Sequence, residues 1–278
     1  MGMQELQGLS FPLTESEVLQ ALRKVQKFDA PAILAGSWVD GRGHPGADVD
    51  VYAFPAESPL EQPKVCSTQI RDTEVDVEIW PQAIVHRTIE KFSADRAWSA
   101  PDLPPATFRE RLLLESIHIG IPLLDASYVE ALKVRLAESA FASIHLLLCH
   151  KDWRKSRRYI RGLLDGQHEI AALMELGTAA QVVADAFLVA HGSYNPHRRW
   201  LHERFRHTGP GGESFRKDFL LHRFPQVHLA DARAVRNRVE EGVDWIEASY
   251  LELLPRFAPW IMNHPEDRPA GARGVEVG

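Results

Sequence analysis

The chain is poor in cysteine. Its two cysteines, Cys66 and Cys149, fall in different segments, so they give neither a disulfide framework nor a zinc site of the cysteine type. That scarcity fits a reducing, cytoplasmic setting. No run approaches the length of an apolar membrane span, and the N-terminus has Glu5 and no basic-then-apolar order, so it does not read as a signal peptide. No membrane partner is expected, and the protein is expected to stay where it is made. There is no excess of positive charge either. Lys and Arg number 32 against 38 Asp and Glu, a net charge of -6, which argues against bulk electrostatic binding of a long nucleic acid. Small molecules or proteins are the expected partners. Repeats and low-complexity tracts are also missing. What is present is the composition of a globular protein, with 45% hydrophobic and 25% charged residues in a 278-residue chain. That is enough for one large or two ordinary domains.

The most informative stretch runs from Gly36 to Tyr52. A short apolar run, Ala32-Ile33-Leu34-Ala35, enters a loop containing Gly36, Gly41, Gly43 and Gly46, and the chain leaves it through Val49-Asp50-Val51-Tyr52-Ala53-Phe54. The order is strand, small-residue loop, acidic strand. Side chains two apart on a strand share a face, so Asp48 and Asp50 point one way and Val49 and Val51 the other. Two neighbouring carboxylates resist joint ionisation unless a cation lies between them. Magnesium favours such an oxygen cage and completes it with water and substrate phosphates. The loop offers backbone N–H groups freed by glycine, and the hydroxyl of Ser37. His44, inside this loop, is a candidate for substrate contact. Further on, Thr73-Glu74-Val75-Asp76-Val77-Glu78-Ile79-Trp80 alternates acidic with apolar, placing Glu74, Asp76 and Glu78 on one face.

Gly36-Ser37, ten residues, then Asp48-x-Asp50 resembles the signature of DNA polymerase beta-type nucleotidyltransferases. The small bacterial branch with kanamycin nucleotidyltransferase and the minimal nucleotidyltransferases is the most similar. The resemblance implies that Ser37, with the backbone at Gly36, contacts a nucleoside triphosphate, that Asp48 and Asp50 hold two magnesium ions, and that a third acid comes from a later strand. Asp76 or Glu78 fills that place, and the one not binding metal could serve as general base. The implied reaction transfers a nucleotidyl group, AMP foremost, to an acceptor hydroxyl with release of pyrophosphate. A small-molecule acceptor is favoured. The alternative is an antitoxin-like or nucleotide-binding protein that uses the same fold to hold a partner protein. A homodimer is expected by analogy with small relatives.

The fold class expected is α+β: a nucleotidyltransferase domain over residues 1–104, with a small mixed sheet flanked by helices, then an all-α domain over 105–262 and a frayed tail over 263–278. Thr14-Glu15-Ser16-Glu17 forms a capping box, with Leu13 and Val18 as its staple, for a helix from Glu15 to Lys27. Strands are expected at 32–36, 49–54, 65–70 and 74–80, and Pro81 opens a helix through Phe92. Three prolines in Ser99-Ala100-Pro101-Asp102-Leu103-Pro104-Pro105 mark the domain boundary. Beyond it the period is near 3.6, predicting helices at 108–119, 128–149, 153–164, 169–190, 198–206 and 230–254, and no strand.

In the helical half, Lys151 to Arg161 carries six basic residues. Arg157, Arg158 and Arg161 are candidates for triphosphate binding, against the plainer reading of a solvated helix face. Tyr194-Asn195-Pro196-His197-Arg198-Arg199-Trp200-Leu201 resembles a Tyr-x-Pro-x-x-Lys-Trp-Leu element of relatives with a helical second domain. There the lysine approaches phosphate; here Arg199 keeps the charge with a planar fork. Tyr194 and Trp200 read as core anchors before base-stacking groups. The thirteen histidines lack ligand spacing, since His145 and His150, or His197, His202 and His207, recur every five residues and scatter around a helix.

Overall fold

The computed structural model describes residues 11–25, 29–93, 105–197 and 201–253. They divide into two compact units, one holding the elements up to Ser139 and the other beginning at Ala140, with residues 105 and 106 belonging to the second.

In the first unit, helix α1 (Glu15–Val25) precedes β1 (Ala32–Ala35), a single helical turn α2 (Gly36–Val39), β2 (Val49–Ala53), β3 (Lys64–Ile70), β4 (Thr73–Ile79) and α3 (Gln82–Glu90). There follow α4 (Phe108–Ile119), β5 (Ile121–Leu124) and α5 (Ala126–Ala137). The five strands form one mixed sheet in the order β3-β4-β2-β1-β5, in which β2 and β4 run parallel and the other pairs antiparallel. Alternation decides which face is core. Val49, Val51 and Ala53 of β2 and Val75 and Val77 of β4 are buried with Val18, Ala21 and Leu22 of α1, and with Trp38 and Val39 of α2. Burying each of these valines, and Leu22, contributes about 1.5–3 kcal/mol, and this fixes the register. With the valines on the covered face, the acids between them must occupy the other. The start of α1 is the anticipated capping box. Thr14 N–H donates to Glu17 Oε2 at 2.8 Å, Glu17 N–H donates to Thr14 Oγ1 at 3.3 Å, and the staple residues Leu13 and Val18 are buried.

Two expectations need correction. The sheet-bearing unit does not end at the proline-rich segment, because residues 107–139 pack with it. The physical reason is β5, a strand where none was expected. It pairs with β1 through Ala32–Leu124, Ile33–Pro122 and Leu34–Ile121, and its proline is tolerated because β5 lies at the sheet edge. Helix α4 covers the second face next to β1, with Leu113, Leu114 and Ile117 fully buried. The chain then turns sharply at Gly120, where a Cβ would overlap Ser116 O and crowd Ile33.

The second unit is helical among its described residues: α6 (Phe141–Asp165), α7 (Glu169–Ala190), the short α8 (Leu201–Arg204) with a 3-10 turn (Phe205–His207), α9 (Pro210–Arg223) and α10 (Ala232–Leu253). Helix α7 runs over the residues anticipated for it. The expected helix 128–149 is instead two elements, broken between Ala137 and Phe141, and α9 was not anticipated at all. One more correction concerns membranes: α7 is long and apolar enough to span one, with a mean hydropathy of 1.5 over its best window. Most of that window is buried within the protein, where α6, α9 and α10 pack around it. The tail at 263–278 lies outside the described residues.

Candidate active site

The acids of β2 and β4 are brought together by parallel pairing. Asp50 stands opposite Asp76 in the register, and Tyr52 stands opposite Glu78. Asp48, just before β2, shares the face of Asp50. One carboxylate oxygen from each of Asp48, Asp50 and Asp76 lies within 4.8 Å of the others. Three negative groups so close repel, and Asp50 carries the consequence. Its pKa is raised from 3.8 to about 7, first by burial and then by the charges of Asp48, Asp76 and Glu78.

The turn beside Asp50 is shaped to admit that carboxylate. Gly36 has φ +75°, and a Cβ there would overlap Asp50 Oδ2, so both conformation and space demand glycine. Ser37 follows in the single turn of α2, and its Oγ is buried with no hydrogen-bond partner among the described residues. The rest of the loop is pinned from below. Trp38 is buried, meets Phe11 edge-to-face at 5.6 Å, and lies under Gly43, where a Cβ would overlap the indole. Arg42 pairs with Asp40. His44 is exposed, and its Nδ1 accepts from Gly46 N–H at 3.2 Å, so the ring helps form the turn in which it sits.

Asp76 and Glu78 share a strand face but not an environment. Ser67 Oγ donates to Asp76 at 2.5 Å from the neighbouring strand β3. Glu78 is committed elsewhere. It accepts from Tyr52 OH at 3.3 Å and from Trp80 Nε1 at 3.0 Å, and Arg109 approaches it at 3.6 Å while lying over the Trp80 ring. Tyr52 is buried, and burial followed by the charge of Glu78 pushes its phenol pKa well up, which keeps it a donor at any physiological pH. Two of these partners, Arg109 and Tyr52, are far from Glu78 in sequence, and only the fold places them there.

The architecture has a counterpart among solved structures. Over 92% of its length the chain is similar to a nucleotidyltransferase-like protein from Exiguobacterium sibiricum 255-15, with a TM-score of 0.51, 11% sequence identity and 81% of that chain covered. Its fold is nucleotidyltransferase-like. At that identity the likeness is one of fold, and no protein-family model and no curated protein sequence matches the chain.

Further residues singled out in the sequence belong to the helical unit. Within the helical unit, Arg157 is engaged, its Nε donating to Glu247 at 2.7 Å, while Arg158 and Arg161 are exposed on α6. Tyr194 meets the Phe141 ring edge-on at 5.0 Å, which fits an anchor. Its turn is held by the buried Arg204, whose Nε donates to Ser193 Oγ at 2.9 Å and which also bonds Asn195 O. Arg199 and Trp200 lie outside the described residues.

One group was missed by sequence reasoning. His145, Cys149 and Asp185 each bring a ligand-type atom within 4.8 Å of the others. The histidines recur five apart among themselves, whereas His145 and Cys149 are four apart and share a helix face. That signal was available in the sequence; the contribution of Asp185 from α7 was not.

Proposed function

We propose that the protein is a magnesium-dependent nucleotidyltransferase that moves a nucleotidyl group, AMP foremost, from a nucleoside triphosphate to a hydroxyl of a small-molecule acceptor, releasing pyrophosphate. The observation that carries this reading is the convergence of Asp48, Asp50 and Asp76 beside the Gly36 turn. The donor set fits the metal: carboxylate oxygens are hard ligands, and the raised pKa of Asp50 marks negative charge that a cation would balance. Asp48, Asp50 and Asp76 would hold the metal, expected as two ions. Bound there, magnesium would offset the charge that develops on the phosphates and on the attacking oxygen.

The chain's own residues supply binding and orientation. The covered hydroxyl of Ser37 and the backbone N–H groups of its turn are donors suited to phosphate oxygens, and His44 stands at the exposed tip of the same loop. Between the two later acids, Asp76 is the one proposed to complete the site and to take the proton of an attacking hydroxyl, a reading supported by its grouping with Asp48 and Asp50. Glu78, bound by Tyr52, Trp80 and Arg109, acts instead as a positioning residue that holds the end of β4 rigid. A small acceptor is favoured because about half of the described residues form a second, helical unit, which a transferase using its partner's own surface would not require.

The test incubates the full chain with magnesium, each nucleoside triphosphate and a panel of hydroxyl-bearing acceptors, reading pyrophosphate and acceptor mass. The expected result is pyrophosphate with an acceptor heavier by one nucleotidyl group, and a loss of roughly 100-fold or more in Asp76→Asn. Absence of pyrophosphate, with nucleotide or partner-protein binding that persists in Asp76→Asn, would favour the antitoxin-like alternative.

A further inference from the structure

Helices α6 and α7 carry a set of side chains that the transferase reading does not use. His145 Nε2 lies 2.8 Å from Asp185 Oδ2, and Cys149 Sγ lies 3.4 Å from the same nitrogen. The identity of that atom decides what the group can be. In a nucleophilic relay the histidine uses one ring nitrogen for the thiol and the other for the carboxylate. Here sulfur and oxygen both approach Nε2, so no proton can pass from thiol through ring to acid. Three donors of different chemistry converge on one point instead.

We infer that His145, Cys149 and Asp185 form a binding site for a borderline-soft divalent cation of the zinc class, which ties α6 to α7 and leaves a fourth position for water or a small ligand. Several observations support this. His145 and Cys149 are one helical turn apart, a spacing that lets one face of a rigid helix present both ligands. Zinc binds nitrogen at about 2.0–2.1 Å and thiolate at about 2.3 Å, which for a tetrahedral ion puts those donors about 3.6 Å apart, close to the 3.4 Å seen. The nitrogen–oxygen pair, at 2.8 Å, needs to open by about half an ångström when the ion replaces the shared proton. A thiolate with an imidazole selects zinc over magnesium, so the site is chemically distinct from the all-carboxylate group of the sheet. Access is graded: Cys149 is buried, whereas the side chains of His145 and Asp185 remain 12% and 22% exposed, so solvent reaches the carboxylate side. Three protein ligands with an accessible fourth position are the pattern of zinc sites that hold water or a small ligand. On binding, the Cys149 thiol gives its proton to solvent, and the His145 proton shared with Asp185 moves by exchange with solvent from Nε2 to Nδ1, freeing the Nε2 lone pair.

The test strips the full chain with a chelator and titrates it with cobalt(II), whose thiolate complexes show a charge-transfer absorption that carboxylate sites cannot give. A single equivalent should produce that band and zinc should erase it. Cys66→Ser and Asp50→Asn should leave the band intact, Cys149→Ser should remove it, and His145→Gln should weaken binding by about 100-fold. A wild-type chain without the band, or a Cys149→Ser chain with an equal one, overturns the inference. Should Cys149→Ser fail to fold, the melting temperature of the wild type decides. A zinc-dependent rise that persists in Asp50→Asn supports the site, and its absence refutes it.

Discussion

Replacing Asp50 with asparagine should make the metal-free protein more stable above neutral pH while abolishing its response to magnesium. The sign follows from proton linkage. The Asp50 pKa is about 7 in the folded chain against 3.8 as its ordinary value, so the folded state holds this proton more tightly than the unfolded one. Its contribution to stability is therefore fully present below pH 3.8 and is lost as pH rises through 7. The full loss is about 4 kcal/mol at 1.36 kcal/mol per pH unit. Asparagine carries no charge and escapes that loss, but its amide needs new partners, so a gain of about 1–3 kcal/mol at pH 8 is the expected net. At pH 5 the balance should shift back toward the wild type by about 2–3 kcal/mol, because its carboxyl is still protonated in the folded state and only the unfolded chain has ionised it. Magnesium should reverse the order at pH 8, by stabilising the wild type and not Asp50→Asn. Scanning calorimetry at the two pH values, with and without magnesium, reads all four outcomes.

Gly36→Ala should be the most damaging small substitution in the loop, and Gly41→Ala provides its measure. Both glycines have positive φ, at +75° and +73°, so an L-residue at either costs about 1–2 kcal/mol in backbone strain. They differ in surroundings. Nothing lies within 4 Å of a Cβ at Gly41, whereas a Cβ at Gly36 would overlap the Asp50 carboxylate. The Gly36 variant must therefore also displace Asp50, bringing the total to about 3 kcal/mol or more. Displacement removes a ligand from the acidic group, so the stabilisation by magnesium should vanish with it. Denaturant unfolding of the two variants isolates the steric part, because their backbone strain is shared. Equal losses at the two positions would show that Asp50 does not lie against the turn.

Legibility in the sequence followed the range of the interactions involved. The acidic alternation of β4 and the capping box before α1 are local patterns, and each formed where its residues placed it. Helix α7 shows why an apolar period is a strong signal: twenty-two residues with no glycine or proline break except the interior Gly177 leave little choice of boundary. Strand β5 was hidden because four residues, one of them Pro122, become a strand only when β1, nearly ninety positions earlier, offers its edge. Helix α9 was masked by Gly209-Pro210-Gly211-Gly212, which reads as a turn, although Pro210 at the first helical position is a start signal. Asp76 and Glu78 were equivalent by periodicity. What separates them is Tyr52 on a parallel strand and Arg109 on a helix beyond the proline-rich segment. The grouping of Asp48, Asp50 and Asp76 was thus legible in residue types and spacing, and the different partners of Asp76 and Glu78 were not.

As proposed, Asp48, Asp50 and Asp76 act together as one seat for divalent ions that carry a nucleotide. Calorimetric titration of nucleoside triphosphates into the wild-type chain and Asp76→Asn, each with and without magnesium, addresses it most directly. Saturable binding by the wild type only when magnesium is present, lost in Asp76→Asn, is the predicted result. Binding of equal strength without the ion, or unchanged in the variant, would contradict it.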